Sequence, residues 1–296
     1  MIDGVVVLDK PPGITSFRAV DRIRRILRVK KCGHAGTLDP LATGVLPICV
    51  GRATKIAGYL AGYEKEYDAV FRFGTETDTG DRTGTEIASA PGAFAEESAV
   101  REAVNALVGT WEQVPPDFSA VKVAGTRAYR LARKGTPVEL SPRPVTVHEA
   151  RVAEWSREGF RIVLRCSKGF YVRALSRDLG RLLQVPMTVQ DLCRRACGPF
   201  RLEESISLDR LADAEKRGEA RTWLLPISKA LAGVPQVAFP PEGIAAIRQG
   251  RPPVPWMSGA SLPPSCTLVL VTNAGGVPVA LVGRVPPAGW KIVRGI

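Results

Sequence analysis

Between residues 33 and 47 the chain reads Gly33-His34-Ala35-Gly36-Thr37-Leu38-Asp39-Pro40-Leu41-Ala42-Thr43-Gly44-Val45-Leu46-Pro47. This run allows few folds. Its glycines permit tight turns and close backbone approach, and Pro40 keeps Asp39 out of helical geometry. Val45–Val50 then forms an apolar strand. The chain must therefore seat a carboxylate in a stiff loop that feeds a buried strand. An Asp before Pro most often bonds its own backbone in an Asx-turn. The alternative is a carboxylate presented to a ligand, and the dipeptide alone does not choose.

Around this loop the chain alternates strand and helix signals. Gly4–Leu8 reads as a short strand ended by the turn Asp9-Lys10-Pro11-Pro12-Gly13. Thr15 or Ser16 caps a helix whose apolar face is Phe17, Val20, Ile23 and Ile26/Leu27. Its remaining positions carry Arg18, Arg22, Arg24, Arg25 and Arg28, followed by Lys30 and Lys31. Further elements are a helix at 53–61, a strand at 65–73, a polar loop at 75–85 and a helix at 96–108. Strands at 145–153 and 160–166 follow. A helix at 171–183 presents Val172, Leu175, Leu179 and Leu182/Leu183 to a core, with Arg173, Arg177 and Arg181 as one basic stripe. Beyond a Pro-rich stretch at 226–241, the runs Thr267–Val271 and Val277–Val282 predict a small β-rich C-terminal domain.

The formal net charge is +12, and it is concentrated. Residues 1–31 hold eight Lys/Arg against three Asp, and residues 160–201 hold nine against two. A solvated helix face usually mixes charge signs, so the pattern points to a polyanionic partner such as nucleic acid. The six cysteines are far apart; Cys193 and Cys197 form a lone pair without the four ligands of a structural zinc site and read as core fillers. Phosphate-loop, dinucleotide and serine-hydrolase motifs are missing. The opening Met1–Lys10 has no basic leader and no stretch reaches membrane-span length, so a cytoplasmic protein with reduced thiols is expected.

Taken whole, the Gly33–Pro47 run resembles the bacterial tRNA pseudouridine synthase B (TruB) family. Other matches occur in the same order. They are Asp9-Lys10-Pro11-Pro12-Gly13-Ile14-Thr15-Ser16, Lys65-Glu66-Tyr67, Thr77-Asp78-Thr79 with Asp81, and Pro115-Pro116 with Ser119-Ala120-Val121-Lys122. Cys166-Ser167-Lys168-Gly169-Phe170-Tyr171-Val172-Arg173 completes the series. The chain departs from the family pattern at Ala35, where Thr is commoner, and at Leu192-Cys193-Arg194-Arg195, which stands for Leu-Arg-Arg-Thr.

The resemblance implies an α+β fold of the pseudouridine-synthase type. Its central sheet would be mixed and largely antiparallel with flanking helices, in a catalytic domain at 1–232. A small PUA-like RNA-binding β domain would occupy 233–296. It implies isomerisation of the TΨC-loop uridine of tRNA, position 55, with base flipping. Asp39 would be the catalytic carboxylate, His34 would fill the space of the flipped base, and Tyr67 would stack on the uracil. Arg173 would pair with Asp39, Tyr171 and Leu192 would line the base pocket, and Lys10 with Pro11 would brace the loop. No metal or other cofactor, membrane or obligate protein partner is implied. Attack on C1′, attack on the base and abstraction of a ribose proton all stay open. An RNA-folding chaperone role is compatible with the same basic surface.

Overall fold

Buried strands build the centre of the molecule. In the computed structural model, which describes residues 2–119, 121–123, 125–128, 131, 140–257, 262–286 and 289–296, Gly159–Cys166 buries every second residue, while Gly4–Lys10 and Thr43–Val50 are buried along almost their whole length. Met1 and Ala120 lie outside the described residues. The first half of the chain forms β1 (Gly4–Lys10), α1 (Ser16–Ile26), β2 (Cys32–His34), β3 (Thr43–Val50), α2 (Ala57–Ala61), β4 (Lys65–Phe73), β5 (Thr75–Thr77), β6 (Glu86–Ser89), α3 (Glu97–Asn105) and β7 (Gly109–Gln113). A small hairpin, β8 (Lys122–Val123) with β9 (Thr126–Arg127), precedes β10 (Arg143–Ser156), β11 (Gly159–Cys166), α4 (Val172–Leu183), β12 (Met187–Cys197), β13 (Phe200–Arg201) and α5 (Leu208–Lys216).

The main sheet has the order β1-β3-β12-β4-β11-β10-β7, with β2 on β3 and β13 on β12. Every pairing is antiparallel except β12 with β3. The sheet is thus mixed and largely antiparallel. One face of β4 sends Tyr67, Ala69, Phe71 and Phe73 into a core shared with β11 and with α1, α3 and α4. Phe71 and Phe160 stack there with ring centroids 5.1 Å apart. The other face is polar, and Asp68 accepts two bonds from Arg161 at 2.7 and 2.6 Å.

The C-terminal part adds α6 (Ile227–Ala230), β14 (Gln236–Ala238), α7 (Pro241–Arg248), α8 (Val254–Met257), β15 (Leu268–Thr272), β16 (Pro278–Val285) and β17 (Gly289–Gly295). β14-β15-β16-β17 form a separate sheet. Leu270 and Leu281 leave that sheet's own core to pack with Val5, Val45, Ile56 and Leu60. Among the described residues no helix is long and apolar enough to cross a membrane.

Five local expectations need correction. Phe17 is 77 % exposed. At about 100° per residue, Ser16, Ala19, Val20, Ile23 and Leu27 share one arc of α1 and Phe17 falls outside it. Leaving a Phe in water forgoes about 1.5–3 kcal/mol. Leu182 is likewise exposed, and only Leu183 packs on the core. Residues 51–56 are a 3-10 turn rather than α-helix, where Thr54 Oγ1 donates to the Gly51 carbonyl at 2.7 Å. The basic stripe of α4 also breaks up: Arg173 is buried, Arg177 is tied to Asp178 and to the Val114 carbonyl, and Arg181 alone is exposed. Finally, β12 runs through the middle of the sheet where no strand was expected.

Candidate active site

The loop carrying Asp39 is held from both ends. Asp39-Pro40-Leu41-Ala42 closes as a turn, with Ala42 N–H donating to the Asp39 carbonyl at 3.1 Å and Pro at the second position. From the β1–α1 side, Ser16 Oγ donates to the Leu38 carbonyl at 2.9 Å and accepts from Leu38 N–H at 2.8 Å. Gly13 N–H reaches the Pro40 carbonyl at 2.8 Å. Lys10, fully buried, donates Nζ hydrogens to the carbonyls of Pro11 (2.9 Å), Ile14 (2.9 Å) and Pro40 (3.3 Å). Burial pulls the Lys10 pKa down to about 8, against the attraction of Asp39. It therefore stays an ammonium at neutral pH, with one hydrogen for each carbonyl.

Arg194 holds the other end. Its guanidinium, 1 % exposed, donates to the carbonyls of Val45 (2.7 Å), Thr37 (3.3 Å) and Gly36 (3.3 Å). The close approach of β3 to β12 requires glycine at 44. Its φ is +95°, and a Cβ there would stand 2.3 Å from the Arg194 carbonyl oxygen.

Asp39 does not make an Asx-turn. Arg173, at the start of α4, donates Nε to Oδ2 at 2.8 Å and Nη2 to Oδ1 at 3.1 Å. The same guanidinium donates to the carbonyls of Thr79 and Phe118, both at 2.8 Å. Asp81 Oδ2 lies 3.7 Å from Arg173 Nε, and Asp81 is fixed by Thr83 N–H at 2.9 Å and Thr83 Oγ1 at 2.5 Å. Burial opposes the charge on Arg173, yet Asp39 and then Asp81 hold its pKa above the ordinary value. Gly80 lets this loop meet α4, since a Cβ there would lie 2.5 Å from the Arg173 carbonyl oxygen. The arginine side chain is 4 % exposed and that of Asp39 33 %. The geometry is a buried, bidentate cation aiming a partly open carboxylate.

That carboxylate opens onto a cleft of about 240 Å³, whose walls include Tyr67, Tyr171, Leu192, Lys65 and Arg194. Burial pushes the Tyr67 phenol up to about 12, with Arg194 acting in the opposite direction by charge and hydrogen bond. Tyr67 is thus a neutral donor at pH 7. Burial and then the Asp39 charge also raise the pKa of Tyr171. The Tyr171 backbone is locked by Gln113, which accepts from its N–H at 2.8 Å and donates to its carbonyl at 3.1 Å. His34 is elsewhere. It lines a second cleft of about 490 Å³, which shares Asp39 and Arg173 with the first.

The structure therefore gathers Asp39, Tyr67, Tyr171, Arg173 and Leu192 around one cleft, puts His34 in the adjoining one, and sets Lys10 and Pro11 behind the loop. Sequence reading gave no role to Arg194, Asp81 or Gln113. Arg194 occupies an inward position of β12, a signal visible only once that strand is recognised.

A model of the TruB family pseudouridylate synthase N-terminal domain matches residues 24–172. The tRNA pseudouridine synthase B of Symbiobacterium thermophilum is 46% identical over 256 residues, covering 85% of this chain and 83% of that protein. The chain belongs to the TruB family of pseudouridylate synthases. Its relative of the same name from Aromatoleum aromaticum is 43% identical over 252 residues, covering 85% of this chain and 81% of that protein. Among solved structures, a Cbf5-Nop10-Gar1 complex aligns with a TM-score of 0.74 at 27% identity, over 99% of this chain and 83% of that one. As a pseudouridylate synthase the protein is an isomerase. The stretch matched by the family model contains Asp39, Tyr67, Asp81 and Tyr171 and stops one residue before Arg173.

Arg194 gives a prediction here. Arg194→Met would leave the loop carbonyls of Gly36 and Thr37 and the β3 carbonyl of Val45 without this donor, at about 1–3 kcal/mol for each group that water cannot reach. We expect the variant to lose about 2–4 kcal/mol in urea unfolding. A loss below about 0.5 kcal/mol, the range of ordinary surface changes, would mean that the loop holds its shape without this guanidinium.

Proposed function

We propose that this chain converts the uridine of the tRNA TΨC loop, position 55, to pseudouridine, with Asp39 as the essential carboxylate. The observation that carries the reading is the Asp39 carboxylate itself, clamped by Arg173 and facing a cleft walled by Tyr67. The curated relatives named tRNA pseudouridine synthase B support tRNA as substrate.

The reaction conserves atoms. The N1–C1′ bond breaks, the uracil turns, a C5–C1′ bond forms, C5 gives up its proton and N1 gains one. Ordinary glycoside hydrolysis uses two carboxylates, and in its inverting form one of them activates water. Here the base must be kept and water kept out, so one carboxylate suffices. In this reading Tyr67 stacks on the uracil and assists removal of the C5 proton. Its high pKa makes it a poor base unless Arg194 stabilises the forming phenolate. Tyr171 and Leu192 bound the base pocket. His34, in the adjoining cleft, occupies the space vacated when the nucleotide flips. Lys10 and Pro11 brace the loop. Residues 1–232 form the catalytic domain, residues 233–296 a small RNA-binding β domain, and the enzyme works in the cytoplasm.

Incubating the purified protein with unmodified tRNA transcript and mapping pseudouridine by chemical derivatisation tests the reading. One new pseudouridine at position 55 is expected; none, or one only at other positions, overturns it. The basic helix gives a second test. Asp21 pairs with Arg24 and Arg25, each at 2.6 Å, which leaves exposed Arg18, Arg22 and Arg28 with no ion pair among the described residues. Neutralising these three to Gln is expected to weaken tRNA binding and flatten its salt dependence by about 2–3 in log–log slope, roughly one per phosphate contact. An unchanged slope would put the RNA footprint elsewhere.

A further inference from the structure

Helix α1 leaves Phe17 standing in solvent at 77 %, the most exposed large apolar side chain among the described residues. A lone exposed apolar residue usually needs no explanation. The position of this one is the reason to look further. Phe17 is on the wall of the second cleft, about 490 Å³, together with His34, Thr37 and Pro40. That cleft and the base pocket share Thr37, Leu38, Asp39, Phe118, Ser119 and Arg173. The adjoining cleft gives an RNA strand that delivers one nucleotide to Asp39 a place to continue. Arg18 follows Phe17 in the helix and Arg22 lies one turn beyond Arg18; both are exposed and without an ion pair among the described residues. An aromatic ring on a helix that also carries unpaired cations suits unpaired nucleic acid, with bases on the ring and phosphates on the charges.

We infer that Phe17 is the platform of a second base subsite, on which an unpaired nucleobase next to the target uridine stacks. The subsite rests on the reading of the chain as a tRNA-modifying isomerase and adds a recognition element to it. It reads a base's presence and not its identity, because every base has a π-face. Phe17 makes it a binding residue rather than a catalytic one.

Phe17→Ala and Phe17→Trp both change an exposed side chain, so both should fold as the parent does. Their dissociation constants are measured against a TΨC stem-loop and against a series in which each loop nucleotide beside the target is made abasic in turn. We expect Phe17→Ala to raise Kd roughly 5- to 150-fold on the intact RNA, with the single-turnover rate at saturating enzyme unchanged. Phe17→Trp should bind at least as tightly as the parent. The penalty of Phe17→Ala should vanish for one abasic position and persist at the others. Unchanged affinity in Phe17→Ala, or a penalty of equal size at every abasic position, would overturn the subsite. Pseudouridine is assayed in the parent protein in parallel. Its failure to appear would sink the proposed function while leaving the Kd comparison readable.

Discussion

Asp39→Asn is expected to bind tRNA as tightly as the parent and to make almost no pseudouridine. The substitution keeps the side chain's shape. The amide oxygen can still accept from Arg173, while Asp81 remains 3.7 Å away as a second counter-charge. The loop keeps its other supports, from Ser16, Gly13, Lys10 and Arg194. What disappears is the negative charge at the mouth of the cleft. Removing it leaves attraction for phosphates intact or stronger, so affinity should not fall. The chemical step has lost the one carboxylate that lines the cleft among the described residues, and a drop of roughly 10⁴-fold or more is expected, the scale seen when a covalent or proton-transfer group is removed. Single-turnover pseudouridine content beside a filter-binding Kd separates the two quantities. Activity within tenfold of the parent would remove Asp39 from the mechanism.

Arg173→Met is expected to reduce the rate by at least about 100-fold, the cost of misplacing a reacting group by an ångström. The side chain is buried and bonded to Asp39 and to the Thr79 and Phe118 carbonyls. Without it, the Asp39 and Asp81 carboxylates lose the cation that holds them, and Asp39 loses the two bonds that aim it. The variant should also unfold more readily, by about 3–5 kcal/mol, because removing one partner strands buried charge. Arg173→Lys should restore the rate in part, since it returns the charge without the two-pronged geometry. A Met variant that unfolds more readily but whose single-turnover rate stays within tenfold of the parent's would show that Arg173 does no more than hold α4 in place.

How much of this was legible in the sequence depended on the length of each signal. The strand Lys65–Phe73 was legible residue for residue, because its alternating burial places Tyr67, Phe71 and Phe73 on one face and Asp68 and Arg72 on the other. The Asp39 loop was legible because its run is long and stereochemically narrow. The Asp39–Arg173 contact spans 134 residues of sequence, and no local pattern encodes such a contact; only the family resemblance reached it. β12 was missed for a definite reason. Its pairing with β4 shifts register between Val189 and Asp191 and again between Arg194 and Ala196. Each bulge breaks the period of two on which strand reading depends. Arg194 went unrecognised with it, since an arginine in an unassigned stretch looks like surface charge. Phe17 was read the opposite way. Its spacing to Val20 fits a helix face, but the arc that α1 buries is narrower than that face and excludes it.

The most direct test of the central claim follows the hydrogen on C5. With tRNA carrying tritium at C5 of uridine, rejoining the base through that carbon must expel the label into water. The parent protein, in excess over RNA, should release the tritium of one uridine per tRNA molecule, and Asp39→Asn, although saturated with the same RNA, should release none. Tritium set free by the asparagine variant at the parental rate would contradict the account.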